Sequence, residues 1–128
     1  METREAQFED LLGKTLSKIE NKDNEILKFI CEDGTIFEQY HEQNCCEYVA
    51  IEDICGDLDD LIGLRVLLAE EIIHEQNETP EGVINPEFMD ESFLWTFYKL
   101  ATNRGAVTVR WCGSSNGYYS ERVTFRKL

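Results

Sequence analysis

The spacing of apolar residues changes period along the chain. From Arg4 to Leu12, Phe8, Leu11 and Leu12 fall at helical spacing, and Gly13 follows where a left-handed residue can end a helix. A short amphipathic N-terminal helix is therefore expected, leading into a strand around Thr15–Glu20. The period then shortens to two. Ile26–Glu32 and Thr35–Tyr40 are β-rich runs flanking Asp33-Gly34, a dipeptide suited to the positive φ values of a type I′ turn. A two-residue loop there would pair Glu32 with Thr35, Ile30 with Phe37 and Phe29 with Glu38. Leu27, Phe29, Cys31, Ile36 and Tyr40 would then share one face, and Ile26, Ile30 and Phe37 the other. With both faces partly apolar, this hairpin is expected inside a sheet and covered on both sides.

Val49, Ile51 and Ile54 point to a short strand. Asp57 to Gly63 reads as a single helical turn, with Asp57 as N-cap and Gly63 as stop. Arg65–Ile73 is apolar enough for a strand, and its period is equally compatible with a helix. Residues 74–91 contain both prolines and six acids without a base, and read as an exposed acidic loop. A loop of that length in a small domain is a functional candidate. In the last third, Phe93–Thr102 and Ala106–Cys112 flank Asn103-Arg104-Gly105, and a final strand, Tyr118–Phe125, follows Ser115-Asn116-Gly117. A three-residue loop with Gly117 left-handed would pair Val107 with Phe125 and Val109 with Val123, keeping the apolar set on one face. The expected fold is α+β, mainly antiparallel β-sheet of about six to eight strands, with the short N-terminal helix and a one-turn helix near 57–62.

Composition fits one domain spanning 1–128. The 128 residues are 42% apolar, enough for a packed core. Twelve Lys and Arg stand against 26 Asp and Glu, for a formal charge of −14. A field of that sign repels nucleic-acid backbones and anionic membranes and attracts cationic surfaces. Direct nucleic-acid binding and membrane association are not expected. The charge is also uneven: residues 1–91 carry net −19, whereas residues 92–128 carry net +5, with Glu121 as their one acid. The basic end either neutralises the acidic part, within the chain or across a homo-oligomer contact, or forms a ligand-facing surface. Five cysteines, an odd number, in a chain whose start lacks the basic and apolar regions of a secretory signal point to reduced thiols in the cytoplasm. No apolar run approaches the ~20 residues a membrane span needs.

The most unusual run is Tyr40-His41-Glu42-Gln43-Asn44-Cys45-Cys46-Glu47. This segment, the stretch Ile51-Glu52-Asp53-Ile54-x-Gly56-Asp57-Leu58-Asp59-Asp60-Leu61-Ile62-Gly63, and the closing Trp95-Thr96-Phe97-Tyr98-Lys99 and Arg110-Trp111-x-Gly113-x-Ser115-Asn116-Gly117-Tyr118-Tyr119-Ser120 resemble a family of small uncharacterised domains of phages, prophages and bacteria. The resemblance spans nearly the whole chain. It implies a phage or prophage setting, hence the cytosol of a host cell, and carries no activity with it.

The residues themselves offer little for catalysis. His41, Cys45, Cys46, Cys55 and His74 include zinc-ligand types, of which His41, Cys45 and Cys46 are the nearest set, but paired Cys-x-x-Cys units are absent. Adjacent cysteines in a strand also point to opposite faces. No metal and no cofactor is expected. A nucleophilic Cys45 or Cys46 activated by His41 would need a helical segment to bring them together, and no other catalytic template occurs. The chain reads as non-catalytic. Its leading function is that of an acidic, phage-encoded inhibitor that binds the basic, nucleic-acid-binding surface of a host defence protein. Glu42, Glu47, Glu52, Asp53, Asp57, Asp59 and Asp60 would be the binding residues, their carboxylates standing in for phosphates. The alternative is a sequestering protein for a nucleotide signal, its pocket built from Arg104, Arg110, Trp111, Asn116, Tyr118, Tyr119 and Arg122. An enzyme dependent on Cys and His ranks third.

Overall fold

In the computed structural model, which describes residues 4–43, 46–85, 92–117 and 119–128, two antiparallel sheets share a single apolar core. The described strands are β1 (Arg4–Glu5), β2 (Leu16–Lys22), β3 (Ile26–Cys31), β4 (Ile36–Tyr40), β5 (Tyr48–Cys55), β6 (Leu68–Ile73), β7 (Ser92–Ala101), β8 (Ala106–Ser115) and β9 (Thr124–Lys127). The first sheet has the order β1-β9-β4-β3-β2 and the second β5-β8-β7-β6. The mainly antiparallel fold is as the sequence predicts, with nine described strands rather than six to eight. Both helical segments are single 3-10 turns, at Phe8–Leu11 and Leu58–Leu61. At the second, Asp57 caps as expected, its carboxylate accepting the Asp59 N–H at 3.0 Å. At the first, the expected helix from Arg4 is cut short because the Ala6 N–H donates to Phe125 O at 3.0 Å, drawing Arg4 and Glu5 into a strand beside β9. Residues 65–73, open between helix and strand from their period, contain the edge strand β6.

The two sheets meet through aromatic rings. Phe8, on the N-terminal turn, lies 4.8 Å from Tyr98 of β7, 5.4 Å from Phe125 of β9 and 6.3 Å from Phe29 of β3, centroid to centroid. Phe37 of β4 stacks on Phe125 at 5.3 Å. A polar link also crosses the core: the buried Trp111 Nε1–H donates to the buried Gln39 Oε1 at 3.1 Å. Along one side the sheets are laced together, with Ile51 N–H donating to Asn24 O at 2.7 Å and Gly63 N–H to Leu16 O at 2.8 Å. Asn24 sits with Asp23 in a left-handed turn (φ 59° and 55°) between β2 and β3.

Two expected registers differ. The β3–β4 hairpin pairs Phe29 with Phe37 and Ile30 with Ile36, one residue away from the expected set. The loop holds three residues, 32–34, closed by Cys31 N–H donating to Thr35 O at 2.8 Å, with Gly34 left-handed at φ 90°. That slip puts Phe37 and Gln39 on the core face with Leu27 and Phe29. Asp33 secures the loop by accepting from Lys14 Nζ at 2.7 Å and from the Thr35 N–H at 2.9 Å, and these bonds hold its carboxyl well below the usual carboxylate range. The hairpin lies inside its sheet, but only one of its faces is fully buried.

The second correction is larger. The final strand pairs with β4 and β1, and not with β8. Both edges of β8 are already taken, by β5 and by β7, so the chain leaving Ser115 has no place beside it. Gly117 is left-handed as expected (φ 93°), but the chain then crosses to the other sheet, passing over Gly113. A Cβ on Gly113 would lie 2.6 Å from Glu121 O and 2.8 Å from Glu121 Cβ. Gly113→Ala should therefore lower stability by about 2–3 kcal/mol, against about 1 kcal/mol for Gly34→Ala, which meets no neighbour and loses only its backbone freedom. Urea denaturation compares the two; equal losses would show that the crossing is not close-packed.

Candidate functional site

The crossing segment, residues 119–123, makes the most developed polar site among the described residues. It buries Glu121, whose residue is 5% exposed, at the floor of a cleft of about 740 Å³. Ser115 Oγ donates to Glu121 Oε2 at 2.9 Å, Ser92 Oγ to Oε1 at 3.1 Å, and Gln76 Nε2 also donates to Oε1. Ser92 and Ser115 are cross-strand partners on β7 and β8, so the sheet register sets the two hydroxyls side by side. Gln76 arrives because residues 74–77 continue alongside β7, with His74 N–H donating to Trp95 O at 3.0 Å and Asn77 N–H to Phe93 O at 2.9 Å. A buried carboxyl facing three donors and no described cation is a costly group that those donors must stabilise. His74, Tyr119, Ser120 and Arg122 line the rest of the cleft. The sequence reading missed Glu121 as a site residue; the signal was present, since it is the one acid after residue 91.

A second cleft of about 350 Å³ adjoins the first and shares Ile73, Ser120 and Arg122 with it. In it the buried Tyr98 hydroxyl donates to Glu71 Oε2 at 2.8 Å, and burial followed by the Glu71 charge pushes that phenol far above its ordinary range.

The seven acids read as a binding face fall into separate settings. Glu47 is turned inward, with His41 Nε2 3.4 Å away and Gln43 Nε2 donating to it. Glu52 and Asp53 both reach Arg110, at 3.3 and 2.6 Å, because a β-bulge in β5 lets two consecutive side chains approach one partner. Asp57 caps the 3-10 turn, Asp59 and Glu42 are exposed, and Asp60 packs against Gly105. The structure brings Glu52 and Asp53 together and does not join all seven into one face.

The residues read as a ligand pocket are likewise divided. Only Tyr119 and Arg122 line the cleft. Arg104 donates to Asp59 O and Ile62 O, Arg110 holds Glu52 and Asp53, Trp111 is buried against Gln39, and Asn116 is exposed. Tyr118 lies outside the described residues.

Cys45, named with His41 and Cys46 as a metal or nucleophile candidate, also lies outside them. His41 Nδ1–H donates to Arg122 O at 2.7 Å, securing the crossing segment. Among the described residues no three His, Cys, Asp or Glu side chains form a metal-binding group. Cys46 is disulfide-bonded, against the expectation of reduced thiols throughout, while Cys31, Cys55 and Cys112 are free. No described helix is long and apolar enough to cross a membrane.

The family model of a domain of unknown function, DUF7448, matches residues 9–125, and the chain belongs to that family. No curated protein and no solved structure matches it.

Two measurements follow from this geometry. Glu121→Ala removes the acceptor for three donors and should cost about 2–4 kcal/mol, with Glu121→Gln costing less; a loss under about 0.5 kcal/mol would mean the cluster is not ordered. Cys112 is held at a pKa of about 12, chiefly by burial, and Cys31 is also raised by burial, while Cys55 is exposed. In native protein at pH 8, a thiol reagent should modify Cys55 first, reaching Cys31 and Cys112 only on unfolding. Native labelling of Cys112 as fast as Cys55 would contradict that burial.

Proposed function

We propose that this is a non-catalytic acidic interaction protein that binds the basic, nucleic-acid-binding surface of another protein. The phage setting implied by its motifs makes it an inhibitor of a host defence protein, acting in the host cytosol. The supporting observation is how the cations are used. Three of the six cations in residues 92–128 are committed internally: Arg126 to Glu38, Arg110 to Glu52 and Asp53, and Arg104 to the carbonyls of Asp59 and Ile62. The net charge of −14 is therefore expressed outward, on exposed groups such as Glu42, Asp57, Asp59, Glu70, Glu75, Glu78 and Glu81. A field of that sign speeds encounter with a basic patch and excludes the nucleic acid that would occupy it.

The sequestering alternative retains Tyr119 and Arg122 in the cleft, but Arg104 and Arg110 are engaged elsewhere. The acidic reading is favoured for that reason.

The test is retention of basic host proteins on the immobilised chain, followed by affinity measurement at low and high salt with DNA as competitor. Binding should weaken about tenfold or more over that salt range, and again on the triple charge reversal Glu75→Lys, Glu78→Lys, Glu81→Lys. Affinity that ignores salt, DNA and the reversal would remove the reading.

A further inference from the structure

The run of bonds that joins the sheets at Gly63 and Leu16 continues only as far as Val66. There, Gly13 N–H donates to Val66 O at 2.9 Å and Val66 N–H to Lys14 O at 2.8 Å. Beyond Val66, β6 and the β1 end of the first sheet stand on opposite walls of the smaller cleft, with Glu71 and Ile73 on one wall and Glu5, Ala6 and Gln7 on the other.

The Glu71–Ile73 end of β6 faces this opening, whereas Ala69, nearer its start, is buried where the N-terminal 3-10 turn packs against the strand. The His74 N–H bond to Trp95 O fixes which residues of the strand bond to β7: His74, Ile72, Glu70 and Leu68. The alternation of an antiparallel ladder leaves the N–H and C=O groups of Ala69, Glu71 and Ile73 directed away from β7. Among the described residues, no loop backbone group bonds to those three. The edge is also unusually apolar for one facing water, with Leu67 54%, Leu68 40% and Ile73 41% exposed. An unpaired edge with apolar side chains is a template for another strand.

We infer that the open edge of β6 takes up an extended, basic segment of a partner protein as an added strand. The charge of the opening selects the occupant. Glu5, Glu71, Glu75 and the buried Glu121 line the joined clefts, with His74, against one arginine, Arg122, and Tyr98 holds Glu71 in place. A second copy of this chain would set Glu70 and Glu71 against the same glutamates, so the carboxylates that repel a like edge admit a basic one. The inference rests on the acidic-interaction reading and gives that reading a location and a binding mode.

The probe is a fluorescent peptide of about ten residues alternating valine and lysine, titrated with the full chain by anisotropy, beside a valine–threonine counterpart. The basic peptide should bind at least about tenfold tighter than the neutral one. It should lose about tenfold or more on Ile73→Pro, which removes an outward N–H without touching a β6–β7 bond. Circular dichroism and the melting curve check that this variant is folded. Alternate N-methylation of the peptide should cause the same loss in the unaltered protein, so the test does not depend on the variant. Binding that survives both changes would overturn strand addition while leaving the acidic reading intact. Equal binding of the two peptides would overturn the basic chemistry, and no binding of either would overturn the site. A concentration-dependent dimer abolished by Ile73→Pro would assign the edge to a second copy and overturn the proposal.

Discussion

The structure depends on a steric constraint at the centre of the second sheet. Because β8 is paired along both edges, the chain beyond Ser115 has no place beside it, and it leaves the sheet across the one residue of β8 that can tolerate a backbone at such range, Gly113. The crossing delivers Phe125 to the aromatic core, completes the first sheet by placing β9 between β1 and β4, and buries Glu121 against Ser92, Ser115 and Gln76. The cleft, the seam beside β6 and the anchoring of the N-terminal turn all follow from that single passage.

Charge is organised by a comparable economy. The arginines that make the C-terminal third basic mostly hold the acidic part of the same chain in place. Arg110 bridges the bulge in β5, and Arg126 joins two strands of the first sheet while lying 4.1 Å from the ring centre of Tyr40. These pairs are partly buried, Glu38 most of all, and desolvation offsets part of their Coulombic gain. Their larger effect is on the field: positive charge is kept close to its own carboxylates, and the remaining negative charge faces outward.

What could be read from the sequence was what lies close along the chain. The β7–β8 ladder, the capped turn at Asp57 and the mainly antiparallel class were legible because each rests on local period or local turn chemistry. The β3–β4 register was not, since Asp33-Gly34 serves equally in a two- or three-residue loop, and the choice was made by the core's demand for Phe37 beside Phe29. The fate of the last strand was hidden for a different reason. Face matching chose a sensible partner in β8, but could not know that β5, sixty residues earlier in the chain, had already filled that edge. The same distance obscured the site. Gln76, Ser92, Ser115 and Glu121 converge only through tertiary structure, and nothing local indicates that Arg110 would bind Glu52 and Asp53 rather than a ligand.

The left-handed turn at Asp23 and Asn24 has a bearing on how the molecule can be handled. Its position at the tip of a hairpin makes it look like a natural point for attaching a label or splicing in a tag. Yet the carbonyl of Asn24 is part of the lacing between the two sheets. A fusion placed there would pull at the join between the layers, whereas one at Gly82, which has open space around it, would leave that join untouched.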